Sequence, residues 1–349
     1  MRALQSFLKF GLVTILLLMA CGDDQPNFAI DESKIKDNFT SLEALEIKIN
    51  SLDNAPIDSI QVILGTQKKS FKGQSGKISL ENFKFGIHGL SVDVFSNDIK
   101  ENLSSKILIT SPIQPQLIEY ELVNTYPHES NAYTQGYEFY NNQLYEGTGQ
   151  LGRSSIRITD AFGGKVVKME NLPNDYFGEG ITILNDTLYQ LTWKNQKAII
   201  YDAKTLSKIK EVNYPQIMEG WGLTNDGNFL YMTDGTENLY QIDAKGFKIK
   251  ETIPVYSKDT KIDSINELEW VNGKIYANVY TKDAIIIINP KTGSVEAIVN
   301  LSELKKKIDF SNKHPQDAVL NGIAYHPLRK TFFVTGKDWE KTFEIRLKE

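Results

Sequence analysis

The sequence predicts an all-β protein, a five-bladed β-propeller preceded by a small immunoglobulin-like β-sandwich. Three observations carry that prediction. Five segments after residue 118 repeat one template, a polar or Gly-rich start followed by two short strands. The first four continue with a second hairpin, making four strands per unit, as in a propeller blade. The fifth lacks a fourth strand, while residues 118–123 form a strand with no hairpin partner, so the two ends of the repeat can close a ring.

The first element is an export signal at residues 1–20. Arg2 and Lys9 give it a positive start, and Phe10 to Met19 form an apolar stretch too short to span a membrane. Leu18-Met19-Ala20-Cys21 resembles a lipobox, which implies cleavage before Cys21, acylation of its thiol and a lipid anchor. Cys21 is the only cysteine, so no disulfide can form within the chain. Residues 21–27 read as a polar tether. The expectation is an exported, membrane-anchored bacterial lipoprotein, periplasmic or at the cell surface, whose remaining chain is soluble.

Residues 28–115 read as the sandwich. Leu45–Ile49, Ser59–Val62 and Leu90–Val94 alternate apolar and polar residues, and Lys106–Thr110 is a last strand. Turn chemistry recurs between them, at Lys72-Gly73-Gln74-Ser75-Gly76 and Ser96-Asn97-Asp98. No catalytic side chains cluster here, and the region reads as a spacer or interaction module. Pro112 and Pro115 mark its end.

Residues 116–349 read as the propeller. Its repeated aromatic positions, 145, 189, 231 and 276, are 44, 42 and 45 residues apart. A longer final interval makes Leu301 to Asp317 an inserted helix or loop. In the repeat alignment Gln135, Glu179, Trp221, Asn266 and Asn321 enter the innermost strands. The strands that return end at Gly149, Trp193, Gly235, Tyr280 and Lys337. Together these predict a ring at one mouth of the channel with one carboxylate, one lysine, amides and aromatics, where the two glycines leave room for a ligand.

The remaining chemistry is sparse. A net charge of −5 gives no footprint for nucleic acid. The histidines, His88, His128, His314 and His326, do not pair at metal-ligand spacing, and no Ser-His-Asp signature is visible. Gly147-Thr148-Gly149 and Gly163-Gly164 read as turns, and Lys305-Lys306-Lys307 as a solvated face. From the repeat alone, catalysis and mere binding stand level. The alternatives are a non-catalytic propeller that binds peptide termini or sugars, and a lactonase-like propeller with catalytic calcium.

Tyr133-Thr134-Gln135-Gly136, Gly178-Glu179-Gly180-Ile181-Thr182, Leu191-Thr192-Trp193-Lys194, Glu219-Gly220-Trp221-Gly222-Leu223, Asn266-Glu267-Leu268-Glu269-Trp270, Asn321-Gly322-Ile323-Ala324 and Thr335-Gly336-Lys337-Asp338-Trp339 carry a resemblance. Over about residues 118–349, they resemble the plant and bacterial glutaminyl-peptide cyclotransferases. The resemblance implies conversion of the N-terminal glutamine of a peptide or protein to pyroglutamate with release of ammonia. It implies Glu179 as general base and then general acid, with Lys337 and Asn266 stabilising the oxyanion or holding the scissile amide. Trp193 and Trp221 would enclose the glutamine side chain, and Tyr133, Gln135, Phe177, Tyr280 and Asn321 complete the substrate-binding set. Tyr280 stands where plant members are expected to carry Trp, and Tyr133 where Phe is common. The resemblance implies no required cofactor and no catalytic zinc, and allows a calcium ion in the channel held largely by backbone oxygens.

Overall fold

The computed structural model describes residues 27–97, 99–311 and 317–348. The export signal, Cys21 and His314 lie outside the described residues. Strands dominate throughout, and the one α-helix among the described residues is the single turn Ser302–Lys305, within the expected insertion.

In the N-terminal region the alternating segments form two sheets. Phe28–Ile30, Ala44–Ser51 and Ser75–Ser79 make one; Phe39–Thr40, Ile99–Thr110, Gly86–Ser96, Ser59–Leu64 and Gln67–Lys72 make the other. The period of two decides which side chains go inward. Leu45, Ile47 and Ile49 meet Ile60, Val62, Leu64, Val92 and Val94 in one apolar core. Tyr256, from the C-terminal region, belongs to that same core, with its ring 6.0 Å from that of Phe85. Ser111 and Ser294 share a hydroxyl hydrogen bond of 2.9 Å, and Lys84 pairs with Glu251 at 3.0 Å, so the two regions are tied by apolar, polar and charged contacts.

From residue 116 onward, the described residues form five sheets. The first holds Thr134–Tyr140, Gln143–Thr148, Ser155–Thr159 and Val166–Asn171. The second holds Gly178–Leu184, Thr187–Thr192, Lys197–Asp202 and Lys208–Asn213. The third holds Leu223–Asn225, Leu230–Thr233, Asn238–Asp243 and Lys248–Pro254. The fourth holds Ile265–Val271, Lys274–Val279, Ala284–Ile288 and Val295–Asn300. All four are antiparallel within themselves. In the fifth, Leu320–His326, Thr331–Gly336 and Lys341–Leu347 receive Tyr120–Pro127 as the outer strand, antiparallel to Lys341–Leu347. Sequence reading did not anticipate Gln116–Leu117, which adds in parallel to the outer strand of the fourth sheet.

The first strands of the five sheets neighbour one another in a closed circuit, from Thr134–Tyr140 through to Leu320–His326 and back. Glycine makes that approach geometrically feasible. A Cβ on Gly136 would lie 2.4 Å from the Ile181 nitrogen, one on Gly180 2.6 Å from the Leu223 nitrogen, and one on Gly222 1.8 Å from the Asn266 oxygen. Gly147 and Thr148, read as part of a turn, lie inside the strand Gln143–Thr148, where Gly147 packs against Ile181.

Candidate active site

One hydrogen bond recurs at the mouth of the circuit. The backbone N–H at the returning end of a sheet donates to a carbonyl just before the same sheet's first strand: Gly149 to Tyr133, Trp193 to Phe177, Tyr280 to Ser264, and Lys337 to Val319, at 2.8–2.9 Å. This joins the two rows of residues predicted from the repeat. They enclose a cavity of about 230 Å³ lined by Tyr133, Gln135, Gln150, Phe177, Glu179, Trp193, Trp221, Asn266, Tyr280 and Lys337. That is below the range of roughly 300–1,000 Å³ typical of drug-sized ligands and suits a single amino-acid side chain.

The aromatic rings follow one another around the rim. Tyr133 meets Phe177 edge-on at 6.1 Å, Phe177 meets Trp193 at 5.6 Å, and Trp221 meets Tyr280 at 5.9 Å between centroids. The Lys337 ammonium closes the gap between the two tyrosines, 4.9 Å from the Tyr133 ring and 5.0 Å from the Tyr280 ring. The electron-rich ring faces compensate a cation that is only 4% exposed. The two glycines do not leave room for a ligand as expected. A Cβ on Gly149 would lie 2.4 Å from the Phe177 ring and one on Gly235 2.6 Å from the Trp221 ring, so each glycine seats an aromatic wall.

Glu179 enters from the second sheet and is 5% exposed. Burial pushes its carboxyl well above 4.5; Lys337 pulls it back and Glu219 pushes it further up. Lys337 moves the other way, lowered by burial to about 8. Asn266 is 2% exposed, and its Oδ1 is buried without a hydrogen-bond partner among the described residues.

Asn321 does not line the cavity. Its Nδ2 donates to Gln135 Oε1 at 3.1 Å and to the Thr134 carbonyl at 2.8 Å. It therefore fixes the Gln135 amide from behind and leaves the Gln135 Nε2 for the cavity. Gln150 was missed by sequence reasoning. It lies one residue past the returning end at Gly149 with a positive φ of 87°, a turn also taken by Thr281 and Asp338 past the ends at Tyr280 and Lys337, but only Gln150 of the three lines the cavity.

The profile of the glutamine cyclotransferase family matches residues 97–347. The chain belongs to this family. A glutaminyl-peptide cyclotransferase of Arabidopsis thaliana is 39% identical over 232 residues, covering 66% of this chain and 72% of that protein. The crystal structure of Myxococcus xanthus glutaminyl cyclase is similar with a TM-score of 0.63 and 33% identity, covering 67% of this chain and 99% of that one. The family match begins at residue 97, in the turn just before Ile99–Thr110, the last strand of the N-terminal region, ahead of the stretch from about 118 on which the motifs lie.

Proposed function

We propose that this family member, an acyltransferase, converts the N-terminal glutamine of a peptide to pyroglutamate in the cavity around Glu179, releasing ammonia. The observation that carries the assignment of roles is a buried carboxylate with no hydrogen bond of its own among the described residues, set beside a buried ammonium inside an aromatic-walled cavity.

The chemistry runs as one proton's passage. The α-amine nitrogen attacks the γ-carboxamide carbon and gives a proton to Glu179. The tetrahedral intermediate bears an oxyanion, which the Lys337 ammonium stabilises. Glu179 then passes its proton to the leaving nitrogen, the C–N bond breaks, and ammonia departs from the closed lactam. A carboxyl raised toward neutrality suits both transfers. Asn266 Oδ1 accepts an N–H of the bound glutamine, and Gln135 donates from Nε2. Trp193, Trp221, Phe177 and Tyr133 exclude water, and Tyr280 contributes a ring with a hydroxyl.

A channel calcium would need about six to eight oxygen ligands. The described residues hold no group of three or more His, Cys, Asp or Glu suited to a metal. Glu267, beside Asn266, already accepts two backbone N–H groups. A calcium of the kind the resemblance allows would draw instead largely on backbone oxygens, and no step is routed through a metal.

The finer architecture belongs to the same proposal. The closed circuit of first strands supports a five-bladed propeller over residues 116–349, and the shared core supports an immunoglobulin-like sandwich over 28–115. The charge and apolar pattern of residues 1–20, ahead of Cys21, supports export and lipid anchoring at the periplasmic membrane or cell surface. The test is an ammonia-release assay with Gln-initiated peptides. Release from such a peptide, with none from its Ala-initiated counterpart, is expected; no release from any of them contradicts the reading.

A further inference from the structure

The rim of aromatic rings has a second charged joint, opposite in sign to Lys337. Glu219 precedes Gly220-Trp221 at the repeat position that Tyr133 and Phe177 occupy in the first two sheets. Its Oε2 accepts the indole N–H of Trp193 at 2.7 Å and that of Trp221 at 3.0 Å. Its Oε1 lies 3.6 Å from the Lys194 ammonium, which itself sits 3.8 Å from the centre of the Trp193 ring on an exposed side chain. The backbone beneath is closely fitted. Gly220 donates its N–H to the Trp193 carbonyl at 3.0 Å, and a Cβ there would lie 2.1 Å from the Tyr214 hydroxyl.

From this geometry we infer that Glu219 is the positioning residue of the site, one carboxylate oxygen that holds the two tryptophan walls at a fixed separation and so sets the slot for the substrate side chain. The inference rests on the cyclase reading for what the slot receives, but the clamp itself is a property of the free protein. Two charge-assisted hydrogen bonds to one oxygen restrain both indoles, which are only half-buried and have no other hydrogen bond to their N–H among the described residues. Without them the rings lose the shared anchor that aligns them, and a slot built for one flat amide loses its width.

Glu219 also acts on the reacting group. The charged and titratable groups around Glu179 are Lys337, which favours its ionised form, and Glu219, which disfavours it; Tyr133 and Tyr214 feel the Glu179 charge in turn. Glutamine at 219 keeps an oxygen that can accept both indole N–H groups but removes the charge. Alanine removes both.

The experiment compares Glu219→Gln and Glu219→Ala with the parent protein. Acrylamide quenching of tryptophan fluorescence, without peptide, reads the clamp; kinetics on a Gln-initiated peptide read the slot. Quenching rises in Glu219→Ala and stays near the parent value in Glu219→Gln. KM rises about tenfold in Glu219→Ala, the loss of roughly one charge-assisted hydrogen bond's alignment, and less than threefold in Glu219→Gln. The acid limb of kcat moves to lower pH in Glu219→Gln, because the charge that raised Glu179 is gone. Unchanged quenching in Glu219→Ala overturns the clamp, as does an unchanged KM. A parent protein that releases no ammonia defeats the cyclase reading alone, since the quenching comparison still decides the clamp.

Discussion

Glu179 and Glu267 are both buried and close to the axis of the circuit, and burial pushes both carboxyls well above the ordinary glutamate value, yet they are differently engaged. Glu267 accepts the backbone N–H of Tyr137 at 3.1 Å and of Ile323 at 2.8 Å, so it stitches the fourth sheet to the first and the fifth. Glu138 and Glu269 behave the same way, accepting from Ile183 at 3.2 Å and from Tyr325 at 2.7 Å across neighbouring sheets. These bonds satisfy donors on strands whose inner edges meet side chains instead of a further strand. Glu179 has no hydrogen bond to its carboxylate among the described residues and faces the cavity. A perturbed carboxyl is thus no mark of a reactive one; its lone pairs must also be open to a substrate.

The comparison can be broken at several points. The largest expected effect is on stability, in the stitched region. His128 and Glu146 form a buried pair at 2.9 Å where the first and fifth sheets meet, and His128 also bonds the Trp339 carbonyl. Removing one partner, as in His128→Ala, should cost about 3–5 kcal/mol, measured by denaturant unfolding. Burial works against the charged forms, but the partner outweighs it on each side: Glu146 is held below 4.5 and His128 above 6.5. The contribution of Glu146 is present above its unfolded value and is lost as pH falls through its lowered folded value. That of His128 is present below its unfolded value and is lost as pH rises through its raised folded value. The melting temperature of the parent should therefore fall on both sides of a plateau, and that of His128→Ala should lose the alkaline fall.

In the free region, Lys337→Met should lower kcat by about 10²–10³-fold, the scale of losing one oxyanion donor, with melting unchanged or higher because a buried charge is gone. The parent's alkaline limb of kcat should lie near pH 8, where Lys337 gives up its proton, and should vanish in this variant. Smaller still is Asn321→Ala. It frees the Gln135 amide to rotate, and KM should rise about threefold to tenfold for the loss of roughly one neutral hydrogen bond's worth of alignment. An unchanged KM would place Gln135 outside substrate binding.

Legibility in the sequence follows the same division. The ring of residues at the mouth was readable because all but Asn321 lie at fixed offsets from a repeated strand, and strand direction alone puts both offsets at one end. Side-chain direction and neighbour fit were not readable. Gly149 and Gly235 looked like empty space, and turned out to be seats for rings that arrive from other parts of the sequence. Asn321, placed by its Asn-Gly pair because it stands twelve residues before Phe333 where Glu179 stands ten before Tyr189, is likewise the second residue of its strand but turns toward Gln135. Glu219 stood inside a recognised motif with nothing to show that two tryptophans, one in another sheet, would converge on one of its oxygens. Gln150 shares its turn with Thr281 and Asp338, and nothing in the sequence showed that it alone of the three would line the cavity. Periodicity reveals where a residue enters, and the folded neighbours decide what it touches.

The account's central claim is that one axial carboxylate is free to react and its neighbour is not. Ammonia release from a Gln-initiated peptide, measured side by side for Glu179→Gln and Glu267→Gln, tests it most directly. Glu267 accepts the Tyr137 N–H on Oε1 and the Ile323 N–H on Oε2, so glutamine at 267 keeps one acceptor and sets an amide NH2 against the other donor. That variant should lose about 1–3 kcal/mol of stability yet keep the activity of its folded molecules within about threefold of the parent, whereas Glu179→Gln should lose about 10²–10⁴-fold while melting normally, the range expected for removing an acid–base group. Near-parental ammonia release by Glu179→Gln, or an equal loss in both variants, would contradict it.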